Sequence, residues 1–342
     1  KTTPYGENGL KRVINIFSFL KKVKRLKAEF VNQFKPDLVI ASSTYPFDTL
    51  IANSIAKASG AKFVYEVHDL WPLTPMEVGG MSRWHPFIMA MQWAENFGYK
   101  HADKVVSLLP KAKEYMQLHG MSADKFSYIS NGVAVNDWLN AQQSMPDEHL
   151  KLFQELRAQG KFVLAYAGGM GDANALDYLL DACKSIDPRV ALLLVGDGPN
   201  KARLIERVQQ ENLQNVHFMP AIGKMQIPAF LSACDALYIG WNNLPIYRFG
   251  ICPNKLFDYM LAAKPIIHSV SAGNDLVRDA DCGYSVAAED VSAIAAAINQ
   301  VSQLAQFERA ELGTRGKTYV LQQHDYAILA QKFLASVFDT AK

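Results

Sequence analysis

Apolar residues recur along this chain in two rhythms, and the changes of rhythm mark its elements. Residues 1–35 open as a polar loop containing Gly and Pro. They continue as a helix with Val13, Ile16, Phe17 and Leu20 on one face and lysines on another. From Pro36 the pattern becomes strand, helix, strand. Short apolar runs at 37–41, 62–67, 104–109 and 126–129 read as strands. Helices are predicted between them at about 47–59, closed by Gly60, then around Phe87, Met91, Trp93 and Phe97, then at 111–119. The segment from Trp71 to Pro86 reads as irregular. Residues 134–160 interrupt the alternation with a polar stretch and a charged helix at about 147–158, read as an interdomain connection. The alternation restarts with strands at 162–167, 190–195, 216–218, 236–239, 265–267 and 284–286. Helices are expected at about 173–186, up to about 212, from Pro253, and at 290–304, 306–322 and 326–340. Strands alternating with helices predict α/β architecture, as two doubly wound domains with parallel sheets covered on both faces.

Bulk composition agrees and removes some classes of function. The 342 residues suffice for about two domains of roughly 150 residues. A net charge of +2 gives no electrostatic case for nucleic acid. The local exception is the basic run Lys21, Lys22, Lys24, Arg25 and Lys27, whose helix is either simply solvated or seated on an anionic membrane surface. Cys183, Cys234, Cys252 and Cys282 are far apart, which argues against disulfides or zinc and for a reducing cytoplasm. No apolar run reaches membrane-spanning length. The sequence opens at Lys1, and a preceding N-terminal piece is expected.

In doubly wound sheets, ligands bind beyond the carboxyl ends of the strands, which selects a definite set of loops. They are 168–171, 196–199, 219–222 and 240–253 in the second half, and 42–45 and 68–72 in the first, with the cleft between domains as the expected site. Gly250-Ile251-Cys252-Pro253-Asn254-Lys255-Leu256-Phe257-Asp258-Tyr259-Met260 reads as a loop turning into a helix. Pro253 suits the first turn, and Leu256, Tyr259 and Met260 form a buried face. A helix start favours an anion; Lys255 adds a mobile cation, and Asp258 offers two oxygens to ribose hydroxyls. Gly168-Gly169-Met170-Gly171 and Gly196-Asp197-Gly198-Pro199 are either tight turns or places of close approach to a phosphate. His68 ends a strand beside Asp69, with Glu66 on the same side. Asp279-Ala280-Asp281 has a metal-binding DxD form but reads better as a polar turn, so no metal site is assigned.

Taken together, these loops resemble the retaining glycosyltransferases of family 4, which have the GT-B fold of two Rossmann-like domains. The resemblance rests on Glu66-Val-His68-Asp-Leu-Trp-Pro72, Ile129-Ser-Asn131-Gly132-Val133, Ala167-Gly168, Leu194-Val-Gly-Asp-Gly-Pro199, the stretch 253–260 and Ala263-Lys-Pro265. It is strongest to the branch that builds bacterial surface polysaccharides, including amino-sugar transferases of O-antigen and capsule assembly. It implies an acceptor-side domain at 1–135, a linker at 136–160, a nucleotide-sugar domain at 161–322, and a C-terminal helix at 323–342 that packs back on the first domain.

The implied chemistry is transfer of a sugar, in this branch an N-acetylated amino sugar, from a UDP-sugar to a polyprenyl-diphosphate-linked or saccharide acceptor. His68 would face the donor sugar, and the departing diphosphate would help take the acceptor proton. His68, Lys255 and Asp258 form the catalytic group. Donor binding falls to Gly168, Gly169, Gly196, Asp197, Gly198, Pro220, Ile222, Gly250, Ile251, Cys252, Asn254, Lys255 and Asp258. Asp69, Trp71 and Asn131 lie on the acceptor side. Neither cofactor nor metal is expected. The protein is placed in the cytoplasm; the basic helix and the helix at 86–99 are candidate surfaces for peripheral contact at the inner face of the membrane, against the favoured alternative of core packing with a solvated face. Two departures from the family pattern stand out. Gly250 occupies the position of the first of two glutamates, and 170–176 has no cation for the diphosphate. Lys255 with the N–H groups of 251–255 is expected to take over that charge. An epimerase of UDP-N-acetylhexosamine and a non-catalytic nucleotide-sugar-binding subunit are the alternatives.

Overall fold

The computed structural model describes residues 10–338 apart from 43 and 142. The polar loop expected at 1–9 and the last residues of the closing helix lie outside that range. The chain forms two compact units, one up to Ser130 and again from Gln331, the other Asn131–Ala330.

In the first unit, β1 (Leu38–Ala41), β2 (Lys62–Val67), β3 (Lys104–Ser107) and β4 (Phe126–Tyr128) make a parallel sheet in chain order. Helices Asp48–Ser59 and Pro86–His101 connect the strands. The first ends as predicted at Gly60, whose φ of 72° closes the turn. The irregular segment after Trp71 contains a short helix, Leu73–Glu77. Helix Leu10–Arg25 buries Ile16 and Leu20, but Phe17 is exposed, with its ring 5.5 Å from that of Phe47 between centroids. Trp93 is likewise exposed, whereas Met91 is fully buried. The end of the chain belongs here: Lys62 Nζ donates to the Val337 carbonyl at 2.7 Å and sits over the Phe338 ring.

The second unit contains β5 (Phe162–Ala167), β6 (Val190–Val195), β7 (Val216–Met219), β8 (Ala236–Gly240), β9 (Ile266–Ser269) and β10 (Gly283–Val286). They form one parallel sheet in the order β10-β9-β8-β5-β6-β7. Alternation along each strand divides the core cleanly. Val163, Ala165, Ala191, Leu193, Leu237 and Ile239 face one layer, while Leu164, Tyr166, Leu192, Leu194, Ala236 and Tyr238 face the other. Helix Asn254–Leu261 covers the first face, with Leu256, Phe257, Tyr259, Met260 and Leu261 all buried. Helix Val291–Gln303 covers the second, started by Asp290, whose carboxylate accepts from the Ala293 N–H at 2.9 Å. Helix Leu176–Ala182 is shorter than the predicted 173–186.

The stretch 136–160, read from the sequence as a connection, folds with the second unit. Its helix Asp147–Ala158 buries Phe153 and Leu156 in the same core layer as β5. The charged face of that helix disguised a buried one. Phe153 packs edge-on to Phe230, and His149 Nε2 donates to the Pro220 carbonyl at 3.1 Å.

Candidate functional site

Strand order reverses between β5 and β8, so the second unit has its topological switch point at the carboxyl ends of Ala167 and Gly240. A crevice for a ligand is expected there. The helix Asn254–Leu261 is fastened at this point by Tyr259. Its buried hydroxyl accepts from the Ala167 N–H at 2.7 Å and donates to the Ala167 carbonyl at 3.0 Å. The first turn of the helix therefore lies over Gly168.

Lys255 is held rather than mobile. Its Nζ donates to Tyr166 Oη at 2.8 Å and to Asn174 Oδ1 at 2.6 Å, above the Tyr166 ring. Tyr166 in turn donates to the Gly169 carbonyl at 2.5 Å. An ammonium has three donors, so one remains for a ligand. A Cβ on Gly168 would come within 3.1 Å of Nζ, so a side chain there would crowd the cation. Burial pulls the Lys255 pKa down to about 8. Asp258, one turn further, accepts no side-chain hydrogen bond among the described residues. Burial raises its carboxyl to about 6, opposed by the Lys224 ammonium. An ammonium aimed beyond a strand end and an unpartnered carboxylate one turn away together form a polar pair suited to a diphosphate and a sugar hydroxyl.

The neighbouring loops interlock through their backbones. Met170 N–H donates to the Asp197 carbonyl at 2.8 Å, and Asn200 N–H to the Met170 carbonyl at 3.0 Å. A Cβ on Gly196 would lie 1.9 Å from the Gly168 carbonyl oxygen, so only glycine permits this approach. Asp197 turns its carboxylate back onto the Gly198 N–H at 2.8 Å. Ile222 packs against the core, while the exposed Pro220 presents its carbonyl to His149.

At the entry to the helix, Gly250 has φ 114°, a conformation that L side chains rarely adopt. Glycine in the glutamate position thus accompanies a particular backbone path. Asn274 clamps the next residue: its Oδ1 accepts from the Ile251 N–H at 2.8 Å, and its Nδ2 donates to the Ile251 carbonyl at 3.0 Å. The expected array of N–H groups over 251–255 is therefore smaller, since that of Ile251 is taken and Pro253 has none. Cys252 and Asn131 meet. The Asn131 N–H donates to Sγ at 3.1 Å and its Nδ2 to the Cys252 carbonyl at 3.3 Å. Asn131, expected from the sequence on the acceptor side, is thus tied to the loop that enters the helix Asn254–Leu261. Asn254 is exposed at the first helical position.

In the first unit, His68 follows β2 with its side chain half-buried. Nε2 lies 3.2 Å from Glu66 Oε2 and 3.0 Å from Ser42 Oγ, which itself donates to Glu66 at 2.5 Å. The hydrogen bond to Glu66 raises the His68 pKa, and His68 in turn lowers that of Glu66. Serine and carboxylate share one ring nitrogen here. A hydrolytic triad instead divides them between the two nitrogens, so Ser42 is a positioning group and not an activated nucleophile. Asp69 is exposed. Trp71 opens on an apolar cavity of about 820 Å³ lined also by Tyr45, Met81 and Phe87, with the Arg12 guanidinium 5.6 Å above the Trp71 ring.

Asp279 and Asp281 do not converge on a site. Asp281 pairs with Arg315 at 3.4 Å, and no group of three or more metal-ligating side chains occurs among the described residues. Among the described residues no helix is long and apolar enough to cross a membrane.

Sequence reasoning missed Tyr166, Asn174 and Asn274, and reached Ser42 only as part of the loop 42–45, without its partners. Tyr166 carries a signal, a polar tip on an apolar strand that ends at a glycine loop. The two asparagines and the serine carry none, because their partners are 81, 23 and 24 residues away.

The chain was compared with known proteins. Residues 2–132 match the family model described as glycosyl transferase 4-like domain, and 161–303 that of glycosyl transferases group 1. Over 319 residues the chain is 22% identical to WcaI, the Escherichia coli (strain K12) glycosyl transferase named for colanic acid biosynthesis, covering 87% of this chain and 74% of that protein. It superposes on Anabaena HepE in complex with UDP-glucose with a TM-score of 0.69 at 18% identity, over 97% of this chain and 84% of that one. WaaG, a glycosyltransferase involved in lipopolysaccharide biosynthesis, gives 0.67 at 14% identity, over 99% and 86%. The fold is GT-B.

Proposed function

From the premise that this chain is a family 4-like glycosyltransferase of GT-B type, we propose that it transfers a hexose or N-acetylhexosamine from a UDP-sugar, with retention, to a lipid-linked or saccharide acceptor in surface-polysaccharide assembly. The observation that carries this reading is the placement of Lys255 and Asp258 three residues apart at the start of one helix, at the switch point of the second unit. Lys255 is the cation for the diphosphate, and Asp258 accepts from the ribose hydroxyls. The short glycine loops at 168–169 and 196–198 let the ligand approach backbone.

The acceptor oxygen attacks the anomeric carbon as the bond from that carbon to the diphosphate oxygen breaks. UDP leaves with the bonding electron pair, and the acceptor proton passes to a departing phosphate oxygen. The protein supplies position and charge stabilisation in this step. Lys255 stabilises the negative charge that grows on the leaving group. His68, oriented by Glu66 and Ser42, is assigned to the donor sugar. Neither a metal nor a cofactor is needed for this chemistry.

The apolar cavity beside Trp71 and Arg12, with Ile14 and Phe17 exposed on the same helix as Arg12, supports a lipid-linked acceptor and peripheral contact with the cytoplasmic face of a membrane. The test is thermal unfolding with UDP-, GDP- and dTDP-sugars, followed by product analysis with excess chelator. UDP-sugars alone should raise Tm, and a product should require acceptor. Isomerised UDP-sugar formed without acceptor would instead make the protein an epimerase, and binding without turnover would make it a non-catalytic subunit.

A further inference from the structure

A second polar site lies in the same unit at the amino ends of β5, β8 and β9, the ends opposite the loops described above. Two adjoining cavities of about 540 and 220 Å³ share Arg157, Asp235 and Arg309. Their lining carries five cations, Arg157, Lys161, Arg189, Lys264 and Arg309, against one carboxylate, Asp235. That carboxylate is already engaged, accepting from Arg157 at 2.6 Å and from the Val163 N–H at 2.7 Å. Lys161 is spent on the Pro188 carbonyl and Arg189 on Asp187. Arg309 donates to the Leu304 carbonyl at 2.5 Å and spans the Phe162 ring, which leaves other guanidinium donors over.

Lys264 is different. Its ammonium is half-buried and makes no hydrogen bond or ion pair with any described residue. Burial lowers its pKa; Cys234 and the Asp235 carboxylate oppose that, while Arg157 and Arg309 add to it. A half-buried cation in a groove where cations outnumber the one, already engaged carboxylate leaves room for a further anion. We propose that this groove binds a phosphate-bearing anion, with Lys264 and Arg309 as its ligands and the Arg157–Asp235 pair as their support. A point charge beside a planar fork of donors suits a group with several oxygens, as a phosphate has and a single side-chain carboxylate lacks. The site is independent of the UDP-sugar reading, because none of its residues belongs to the switch-point crevice.

The experiment follows Tm with UDP saturating the nucleotide site while pyrophosphate is added at constant ionic strength. Wild type should show a further, saturating rise. Lys264→Met and Arg309→Met should each lose it while keeping the UDP-induced rise, which also shows that they fold; Arg309→Lys should keep part of it. In a parallel arm, the same proteins are sedimented with phosphatidylglycerol vesicles and with phosphatidylcholine vesicles. Binding to the anionic vesicles that is lost in both variants, without a pyrophosphate response, assigns the phosphate to a lipid headgroup and supports the proposal. A response to neither probe, or one unchanged in both variants, overturns it.

Discussion

Replacing Lys255 with methionine removes the ammonium and keeps the length of the stem. In the unliganded protein that ammonium is a burden. Its pKa falls from the ordinary 10.5 to about 8 by burial, which corresponds to about 3 kcal/mol against the charged form. The loss of the partners of Tyr166 and Asn174 offsets part of this, about 1 kcal/mol for each hydrogen bond. Lys255→Met should therefore be about 1 kcal/mol more stable at pH 7, as measured by urea unfolding without ligand. The sign follows from linkage. The folded pKa lies below the unfolded one, so the penalty is complete below pH 8 and is lifted as pH rises toward 10.5, where wild type should gain on the variant. Nucleotide binding should move the other way. A charge-assisted bond to the diphosphate contributes about 1.5–3 kcal/mol, so UDP affinity measured by calorimetry should fall about 10- to 100-fold. In wild type, UDP binding above pH 8 should take up a proton, visible as a dependence of the heat on the buffer. A variant that is less stable and binds UDP as tightly as wild type would refute the assignment of Lys255 to the ligand.

Asp258→Asn should weaken UDP about tenfold and 2′-deoxy-UDP, which keeps one of the two hydroxyls, by less; equal losses for both ligands would remove Asp258 from the ribose. Glu66→Gln should lower the His68 pKa, read from the imidazole NMR signals. The hydrogen bond raises that pKa in the folded state, so its stabilisation is present below about pH 6.5 and lost as pH rises through the folded value; an unmoved His68 titration counts against the pair. Tyr259→Phe strips the partners from the Ala167 N–H and carbonyl and should cost about 1–3 kcal/mol in urea unfolding; a loss below about 0.5 kcal/mol would mean that the helix is not pinned there. Glu95 is buried under Tyr99, Tyr115 and Gln92, with its carboxyl raised to about 8. Wild-type stability should fall as pH rises from 4.5 toward 8, and Glu95→Gln should remove that slope.

Much of this protein is determined by local pattern. Uninterrupted apolar runs such as Val190–Val195, six residues long and bounded by Asp187-Pro188 and Gly196–Pro199, read as strands buried on both faces, because they are too short for a buried helix between turn signals. The order of strands and helices then leaves a parallel sheet as the answer. The same logic selects the loops beyond strand ends, and so reaches Gly168, Gly196 and the start of the helix at 254 before any coordinate is known. Glu66 and His68 two residues apart on one strand are likewise paired by its period of two.

What the sequence left open depends on distance along the chain. Lys255 read as a mobile cation because nothing near it in sequence could hold it. Tyr166 and Asn174, 89 and 81 residues earlier, are brought to it only when β5 and β8 become neighbours. The contact of Asn131 with Cys252 was out of reach for the same reason: the two are 121 residues apart. The helix Asp147–Ala158 looked like a linker because its exposed face is charged, and its buried face became apparent only with Phe230 against it. Desolvation is the last such quantity. The sequence supplies an ammonium at 255, a carboxyl at 258 and an ammonium at 264, but their altered acidities come from the surrounding protein excluding water. Periodicity is written in the chain, whereas the partner and the dielectric environment of each charge are decided by which distant segments fold against it.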